Sequence, residues 1–507
     1  RPLVPAALIG GVISVTLAAG LLPTLLYQRT HGANPEVPAR SADHAEMLGL
    51  RITAMLTPRD DHRLPPLAEL GERSRRVPFP SELGQSLGVV GVTGLVVVVG
   101  AALGQALRPR NTGSDLRRRL GVLTLLAVLV GTVGGLSFTL ALFGLEEVRA
   151  WNRLTVFIAF FALAGLASLA DDVVRARGRR WRPSVARPAV AAALAGVLLA
   201  GVLDQTSDRD VPDYERISND FASDRAFVRA LESRLPRGAM VFQLPYMAFP
   251  ELGPLGDAYD YDLVRGYLHS DRLRWSYGAM RARPADWQSQ WVNQPTDRLV
   301  AGLAATGFAG IYLDRFGYVD RGASAEAELS RVLGLRPSTS RDGRLAFFDL
   351  RSFARRFVSE MGRADSRLLR RAVLGPPVLT WQDGVFAEER DDTERWRSAG
   401  AEARMRLDNE SEATRTVTLR FRAVPTVAAP ALLRVRGPAA DARFEVPVEG
   451  LDVAVPLRLE PGRHTVTLKV GEAEGRPPHQ RGDLRLRVIG ARAEHPAVER
   501  LLGAPPG

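Results

Sequence analysis

One polar segment of the sequence concentrates side chains that could carry chemistry. Within residues 29–82, five side chains are of particular interest: His44, Glu46, Arg51, His62 and Arg63. A guanidinium can hold phosphate oxygens with two parallel hydrogen bonds, and an imidazole or a carboxylate can move a proton. We expect a site for a lipid-linked phosphate here. The alternative is an ordinary solvated loop whose charges form surface ion pairs.

Aromatic side chains are concentrated in a second segment. Residues 240–318 hold seven of the nine tyrosines and three of the seven tryptophans. Aromatic faces stack on the apolar faces of sugar rings, and neighbouring polar groups can bind hydroxyls. Six residues are candidates for carbohydrate binding: Tyr246, Tyr267, His269, Trp275, Tyr277 and Trp287. The alternative is that these rings pack a loop-rich domain, with His269 a structural hydrogen-bonding group.

Several kinds of chemistry lack their motifs in this sequence. There is no cysteine, which excludes disulfides, thiol nucleophiles and Cys-ligated metal or iron–sulfur sites. The sequence contains no phosphate-cradling glycine loop, no HExxH and no GxSxG. No metal site and no cofactor is therefore predicted.

Five stretches without charged residues predict membrane-spanning helices. They cover residues 2–28, 83–107, 120–145, 154–170 and 188–203. A bilayer core of ~30 Å needs roughly 20 helical residues, so three stretches are long enough and the last two need flanking residues. A buried soluble helix is the alternative for the two short stretches. Residues 1–204 are thus expected to form a transmembrane domain.

The charges between these spans predict their orientation. Residues 108–119 carry five arginines and one aspartate, and residues 171–187 carry six arginines and two aspartates. Residues 29–82 and 146–153 have equal numbers of acidic and basic groups. We expect the two basic loops to face the cytoplasm of a bacterial cell and residues 205–507 to lie on the extracytoplasmic side. Most of the net charge of +11 then follows from topology, and no nucleic acid is expected as a partner.

The part after the spans divides into three regions and a tail. Residues 205–350 alternate helical and strand-like patterns, which predicts an α/β domain with a partly parallel sheet. Residues 351–375 are expected to form a helical linker. Residues 376–500 contain at least seven short alternating stretches, which predict an antiparallel β-sandwich. Trp381 and Trp396 are expected to be core residues there. Residues 501–507 are predicted to be a disordered tail.

Three stretches carry a resemblance to a known family. They are AEMLGLRITAMLTPRDDHR in the long loop, GGLSFTLALFGLEEVRAWNRLTVFIAFFALAGLA in the spans, and RALESRLPRGAMVFQLPY followed by RGYLHSDRLRWSYGAM beyond them. Over about residues 1–350 the chain resembles the C-terminal half of bacterial polytopic membrane glycosyltransferases of the GT-C class, and it is most similar to YfhO-like members.

The resemblance implies a function and roles for residues. Members of the class transfer a sugar from a polyprenyl-phosphate carrier to an acceptor on the outer membrane face, which here would be an envelope glycan or lipid. Arg51 and Arg63 would bind the donor phosphate, and Glu46 or His62 would orient an acceptor. The family's catalytic acidic residue belongs to an N-terminal region that we expect to precede this sequence. The alternative is a non-catalytic, membrane-anchored protein that binds carbohydrate or assists envelope assembly; a transporter would need polar or broken helices.

Overall fold

The computed structural model describes residues 3–32, 34, 36, 42–76, 84–107, 115–178, 183–390, 395–472 and 485–503. The chain forms two compact units. One unit consists of residues 39–214, and the other joins residues 1–38 to residues 215–507. Each unit is described by itself below.

The unit of residues 39–214 is helical. Its helices are Ala42–Met47, Ile52–Leu56, Pro65–Arg75, Gly88–Leu107, Asp115–Gly131, Leu136–Leu140, Thr155–Gly178 and Pro183–Gln205, with short irregular turns at Ala141–Leu145, Trp151–Leu154 and Asp208–Asp210. Glycines let the long helices approach closely. A Cβ at Gly94 would lie 2.3 Å from the carbonyl oxygen of Ala162, and one at Gly121 would lie 2.0 Å from that of Val98. Such contacts between small residues are typical of helices that pack in lipid.

Three helices among the described residues are long and apolar enough to cross a membrane. They are Leu8–His31, Trp151–Ala176 and Pro188–Gln205, and shorter apolar helices cover Gly88–Gly104 and Leu136–Leu145. The predicted span 120–145 is not one helix, because the helix Asp115–Gly131 ends before a turn. Gly134 has φ +71 in this turn, and the backbone of Leu50 bonds to both Gly131 and Val133. The prediction of five spans is therefore not confirmed.

The other unit begins with the helix Leu3–His31 and continues, after residue 215, with an α/β domain. The helix Tyr214–Arg234 precedes a five-stranded sheet of order β2-β1-β3-β5-β4. The strands are β1 Met240–Leu244, β2 Arg274–Trp275, β3 Phe308–Asp314, β4 Ser338–Thr339 and β5 Leu345–Asp349. Strand β1 runs parallel to β2 and β3, whereas β5 runs antiparallel to β3 and β4. The sheet is thus partly parallel.

Helices cover both faces of this sheet. Phe227 and Leu231 of the helix Tyr214–Arg234 pack with Val241 of β1 on one face. The opposite face carries Phe242 of β1 and the helix Thr296–Thr306, together with Arg351–Met361 and Arg363–Leu374. Short helices at Val264–Leu268, Gln288–Trp291 and Ala323–Leu333 complete the domain. Strand β3 is buried along its whole length, which explains its uninterrupted apolar sequence.

A sandwich of two five-stranded antiparallel sheets follows. Its strands are β6 Val378–Trp381, β7 Val385–Arg390, β8 Arg395–Ala399, β9 Glu402–Asn409, β10 Arg415–Pro425, β11 Ala431–Gly437, β12 Ala440–Val446, β13 Leu451–Leu459, β14 Gly462–Glu472 and β15 Leu486–Glu494. The orders are β13-β10-β15-β8-β7 and β12-β11-β14-β9-β6. Alternate residues of β9, β10 and β13 are buried in a shared core. The antiparallel sheets predicted for this region are confirmed.

The last helix, Pro496–Leu502, returns to the α/β domain. Its Val498 belongs to the core that contains Leu369 and Val373 of the helix Arg363–Leu374. This helix includes the first residues of the predicted tail, and residues 504–507 lie outside the described residues. The two domains of this unit are therefore joined by buried apolar packing as well as by the chain.

Candidate functional site

A cavity of about 140 Å³ lies where the α/β domain meets the sandwich, within one compact unit. Residues from three regions line it: a residue of segment 34–36, loop residues between 246 and 293, and sandwich residues of β6, β7, β8 and β15. We call it the glycan cavity, after the ligand that we propose for it. An apolar cavity of about 150 Å³ can hold benzene, so this cavity has room for a small ring-sized group.

Three aromatic side chains contribute to the wall of the glycan cavity. They are Tyr246 from the loop after β1, Trp381 from β6 and Trp396 from β8. Trp381 and Trp396 are only partly buried. Trp381 packs against the sandwich core, as expected from the sequence, and also lines the cavity. Trp396 lines the cavity, which differs from the core position expected for it. Rings at the wall of a cavity can stack on a sugar.

Asp286 and Tyr246 form a buried hydrogen-bonded pair in the cavity wall. The Tyr246 hydroxyl lies 2.9 Å from Oδ2 and 3.1 Å from Oδ1 of Asp286, to which it donates. Both residues are less than a tenth exposed. Burial raises the pKa of Asp286 to about 7, against the lowering effect of the bond from Tyr246. Burial, with the nearby Asp286 charge, also raises the pKa of the Tyr246 phenol. Asp286 can therefore change protonation near neutral pH.

Three arginines line the cavity, and two of them, Arg281 and Arg395, act on the charge of Asp286. Arg395 lies over the Tyr246 ring, with 5.2 Å between its guanidinium carbon and the ring centre, and donates to the side-chain oxygen of Asn293. Arg281 donates to the carbonyl oxygen of Pro250 at 2.6 Å. Arg397 pairs with Glu36, and its nitrogen is 2.8 Å from the carboxylate.

The cavity adjoins the end of an apolar helix in the same unit. Arg283 donates to the carbonyl oxygens of His31 and Gly32, at 3.1 and 3.0 Å. These are the free carbonyls at the end of Leu3–His31, where a cation is favoured. Five residues past His31, the Glu36 carboxylate accepts the backbone N–H of Trp381 at 3.1 Å. The segment after this apolar helix is thus part of the cavity wall.

Of the six residues expected to bind carbohydrate, the structure brings Tyr246 into the glycan cavity. Trp287 lines a small adjoining pocket that shares Asp286, and it also packs near Phe242 and Phe308. The other four lie elsewhere. Trp275 packs against Tyr312, Tyr277 against Phe249, and His269 against Phe221. Tyr267 is 66% exposed. Burial lowers the pKa of His269.

Sequence reasoning missed the charged residues of the cavity: Glu36, Arg281, Asp286, Glu388, Arg395 and Arg397. One signal was present, because Arg395-Trp396-Arg397 places a tryptophan between two cations. The convergence of residue 36 with residues 281–293 and 379–397 depends on tertiary packing and has no local signature.

The residues expected to bind a lipid-linked phosphate lie in the unit of residues 39–214. The ring of His62 is 3.2 Å from the Asp204 carboxylate, and Arg63 donates to the carbonyl oxygen of Thr206 at 3.0 Å. Glu46 accepts the backbone N–H of Gly134 at 3.1 Å. These contacts bring His62 and Arg63 together and leave Glu46 in a separate contact.

Arg51 and His44 occupy other positions in this unit. The backbone N–H of Arg51 bonds to the side-chain oxygen of Gln85 at 2.9 Å. His44 belongs to the short helix Ala42–Met47.

A network of ion pairs adjoins His62 and Arg63. We call it the Arg59 cluster; its members are Arg59, Asp61, His62, Arg63, Asp204, Ser207 and Asp210. Arg59 holds the Asp61 carboxylate with two bonds of 2.9 Å and that of Asp210 with one of 2.8 Å. The bond from Arg59 lowers the pKa of Asp61. No group of metal-ligating side chains occurs among the residues that the structure describes.

Comparisons with known proteins give similarities of low identity. No protein-family model and no curated protein matches the chain. The mycobacterial arabinofuranosyltransferase AftD is 11% identical over 80% of this chain, which spans 42% of AftD, with a TM-score of 0.27. A family 35 carbohydrate-binding module from Clostridium thermocellum is 8% identical over 22% of this chain and 96% of its own length, with a TM-score of 0.16.

A family 29 carbohydrate-binding module is 14% identical over 23% of this chain and 80% of its own length, with a TM-score of 0.14. All three scores lie below 0.5, and the function proposed next depends on the geometry of this chain. The resemblance to YfhO-like members of the GT-C class stays a prediction.

Proposed function

We propose that this chain is a membrane protein that binds a cell-envelope glycan in the glycan cavity, and that it takes part in glycosyl transfer onto that glycan. The donor would be a sugar linked to polyprenyl phosphate, and the reaction would occur at the extracytoplasmic face of a bacterial cytoplasmic membrane. The observation that carries the proposal is the cavity itself, lined by three aromatic rings beside the end of an apolar helix.

The composition of the cavity wall supports glycan binding. A sugar ring has apolar faces and a rim of hydroxyls, so its site needs aromatic surfaces with hydrogen-bonding groups around them. Trp381 and Trp396, which are partly exposed, supply the surfaces, and the buried Tyr246 ring lies beneath Arg395. Polar side chains supply the hydrogen-bonding groups: Asp286, Ser289, Gln290, Asn293 and Arg395. The wall therefore matches both parts of a sugar.

The position of the cavity supports a ligand at the membrane surface. Leu8–His31 is long and apolar enough to cross a membrane, and its last carbonyls are bound by Arg283. Arg281 and Asp286, on either side of Arg283 in the sequence, line the cavity. A glycan held there would lie near the membrane end of this helix.

The proposed role in transfer uses the residues predicted in the other unit. Arg63 would bind the donor phosphate, because it donates to the uncharged oxygens of Thr206 and no carboxylate among the described residues pairs with it. Arg51 would assist, and His44, Glu46 and His62 would be supporting groups. A non-catalytic membrane-anchored protein that binds carbohydrate or assists envelope assembly is the second candidate, and the same cavity supports it.

The glycan-binding proposal is tested by calorimetric titration of the whole chain in lipid nanodiscs with oligosaccharides from a bacterial envelope. We expect Trp396→Ala to weaken binding at least tenfold, because a stacked ring is lost from the cavity wall. Tyr267→Ala, which removes an exposed ring outside the cavity, should leave binding unchanged. Equal binding by wild type and Trp396→Ala would contradict the proposal.

Transfer is tested separately with a radiolabelled polyprenyl-phosphate sugar and the same glycan. Product formed by the full-length protein and lost in Arg63→Ala supports glycosyl transfer. Glycan binding without product in the full-length protein supports the non-catalytic candidate.

A further inference from the structure

The charged groups of the glycan cavity point to a particular class of sugar. Resting on the proposed glycan binding, we infer that the cavity selects sugars that carry an anionic group, a carboxylate or a phosphate, and that Arg281 and Arg395 bind this group. Both arginines line the cavity beside the aromatic rings. The proposal concerns ligand class and is independent of glycosyl transfer.

Arg281 and Arg395 have hydrogen-bonding capacity to spare. Arg281 donates through one terminal nitrogen to the carbonyl oxygens of Pro250 and Glu251. Its Nε is buried and has no acceptor among the described residues. Arg395 donates to the uncharged oxygen of Asn293, and the nearest carboxylate among the described residues, that of Glu388, is 3.8 Å away. A guanidinium bound mainly by uncharged oxygens retains its attraction for an anion.

The third arginine does not contribute in the same way. Arg397 forms an ion pair of 2.8 Å with Glu36, and both side chains are mostly buried. Their charges cancel within the cavity wall. Arg281 and Arg395 are then opposed by Glu388 and Asp286, so the protonation of Asp286 decides whether the wall is neutral or positive.

Asp286 couples anion binding to protons. The groups that face it are Tyr246, which donates to the carboxyl group, Ser289 on the following turn, and the cations Arg281 and Arg395. Its pKa is raised to about 7 by burial, so the carboxyl is largely neutral below that pH and ionised above it. An anionic sugar is repelled by the ionised carboxylate. Affinity for it should therefore fall as the pH rises through neutrality.

A second buried donor also lacks a partner at this wall. Trp396 Nε1 has no acceptor among the residues that the structure describes, although its ring contacts the guanidinium of Arg487. Buried donors are normally satisfied by protein, water or ligand.

The test compares two sugars that differ in charge and share a shape. The whole chain in lipid nanodiscs is titrated calorimetrically with methyl glucuronide and with its uncharged amide, at about pH 6. We expect the glucuronide to bind about tenfold more tightly, because hydrogen bonds from guanidinium to an anion are stronger than those to a neutral group. Glucose 6-phosphate, in a third titration, distinguishes a preference for phosphate from one for carboxylate.

Variants separate the roles of the cavity residues. Arg395→Gln and Arg281→Gln should each reduce the preference for the glucuronide several-fold, while Arg422→Gln, an exposed arginine of β10 in the same sheet, should not. Thermal unfolding of each variant shows whether it is folded. Asp286→Asn should keep the preference and remove its decline between about pH 6 and about pH 8.

The outcomes distinguish the two proposals. Equal binding of the glucuronide and the amide would overturn the anionic preference and leave glycan binding in place. Binding of neither sugar, together with no binding of longer envelope oligosaccharides, would overturn glycan binding itself. A preference that survives in both arginine variants would overturn the assignment of the anion to Arg281 and Arg395.

Discussion

The glycan cavity and the Arg59 cluster contain the same kinds of charged residue but use them differently. In the Arg59 cluster, Arg59 donates to Asp61, to Asp210 and to the carbonyl oxygen of Gln205, so its capacity is filled. In the cavity, Arg281 and Arg395 bond mainly to uncharged oxygens. A dense group of charges is a structural clamp where carboxylates saturate the guanidiniums, and a candidate binding site where they do not.

The largest difference between the two regions should appear in stability. Arg59→Gln leaves the carboxylate of Asp61, which is 9% exposed, without its cation. Breaking a buried ion pair in this way is strongly destabilising, and we expect a loss of about 3 kcal/mol, measured by chemical unfolding in detergent. Arg73→Gln, which breaks an exposed pair with Glu69, is the control and should change stability by less than about 0.5 kcal/mol.

In the cavity, removal of a charge should have the opposite effect on stability: Arg59→Gln destabilises the protein, whereas Asp286→Asn should stabilise it relative to wild type as the pH rises. Its folded-state pKa of about 7 lies above the ordinary value of 3.8. The folded state therefore binds more protons than the unfolded state between these values, and wild-type stability falls as the pH rises from about 4 to about 7. The difference in unfolding free energy between Asp286→Asn and wild type should therefore shift in favour of the variant by about 2 kcal/mol from about pH 5 to about pH 8. A pH-independent difference between the two proteins would show that Asp286 does not titrate in this range.

Removal of a cavity arginine should affect stability less than removal of Arg59. Among the described residues, the carboxylate nearest to Arg395 is 3.8 Å away, so Arg395→Gln leaves no tightly paired anion behind in this part of the chain. We expect a loss of less than about 1 kcal/mol by the same unfolding measurement. A loss equal to that of Arg59→Gln would mean that the cavity is as saturated as the cluster and would remove the contrast between them.

The smallest effect on stability is expected for Arg63. It is exposed and bonds to the uncharged oxygens of Thr206, and Arg63→Ala should change stability by less than about 0.5 kcal/mol. Turnover of a polyprenyl-phosphate sugar by the full-length protein should nevertheless fall. Unchanged kinetics would remove Arg63 from the donor site and place it with the structural members of the Arg59 cluster.

Parts of the fold that depend on local periodicity could be predicted from the sequence. The alternating pattern of β9 and β10 gives antiparallel sheets, and the apolar run of β3 gives a buried strand. The sequence predicted a continuous helix over 120–145, and the structure has a break there. Hydropathy does not reveal the turn that Gly134 and Gly135 form beside Leu50. Local composition cannot show where a helix breaks when the break is held by a distant backbone.

The candidate site was less predictable than the fold. Tyr246 was expected to bind sugar and lines the cavity, whereas Trp275 was selected by the same aromatic criterion and packs against Tyr312. The identity of a ring does not indicate which of its faces is covered. Asp286 gave no signal at all, because its raised pKa results from burial in the folded chain, which outweighs the lowering effect of the hydrogen bond from Tyr246.

The central claim is that a glycan occupies the cavity between the α/β domain and the sandwich. The most direct test is photo-crosslinking of the whole chain in nanodiscs with a diazirine-bearing glucuronide, followed by mapping of the labelled peptides by mass spectrometry. Our account predicts label within residues 281–293 and 379–397, reduced by excess unlabelled glucuronide. Competed label confined to the segment around Tyr267, or to the unit of residues 39–214, would contradict it.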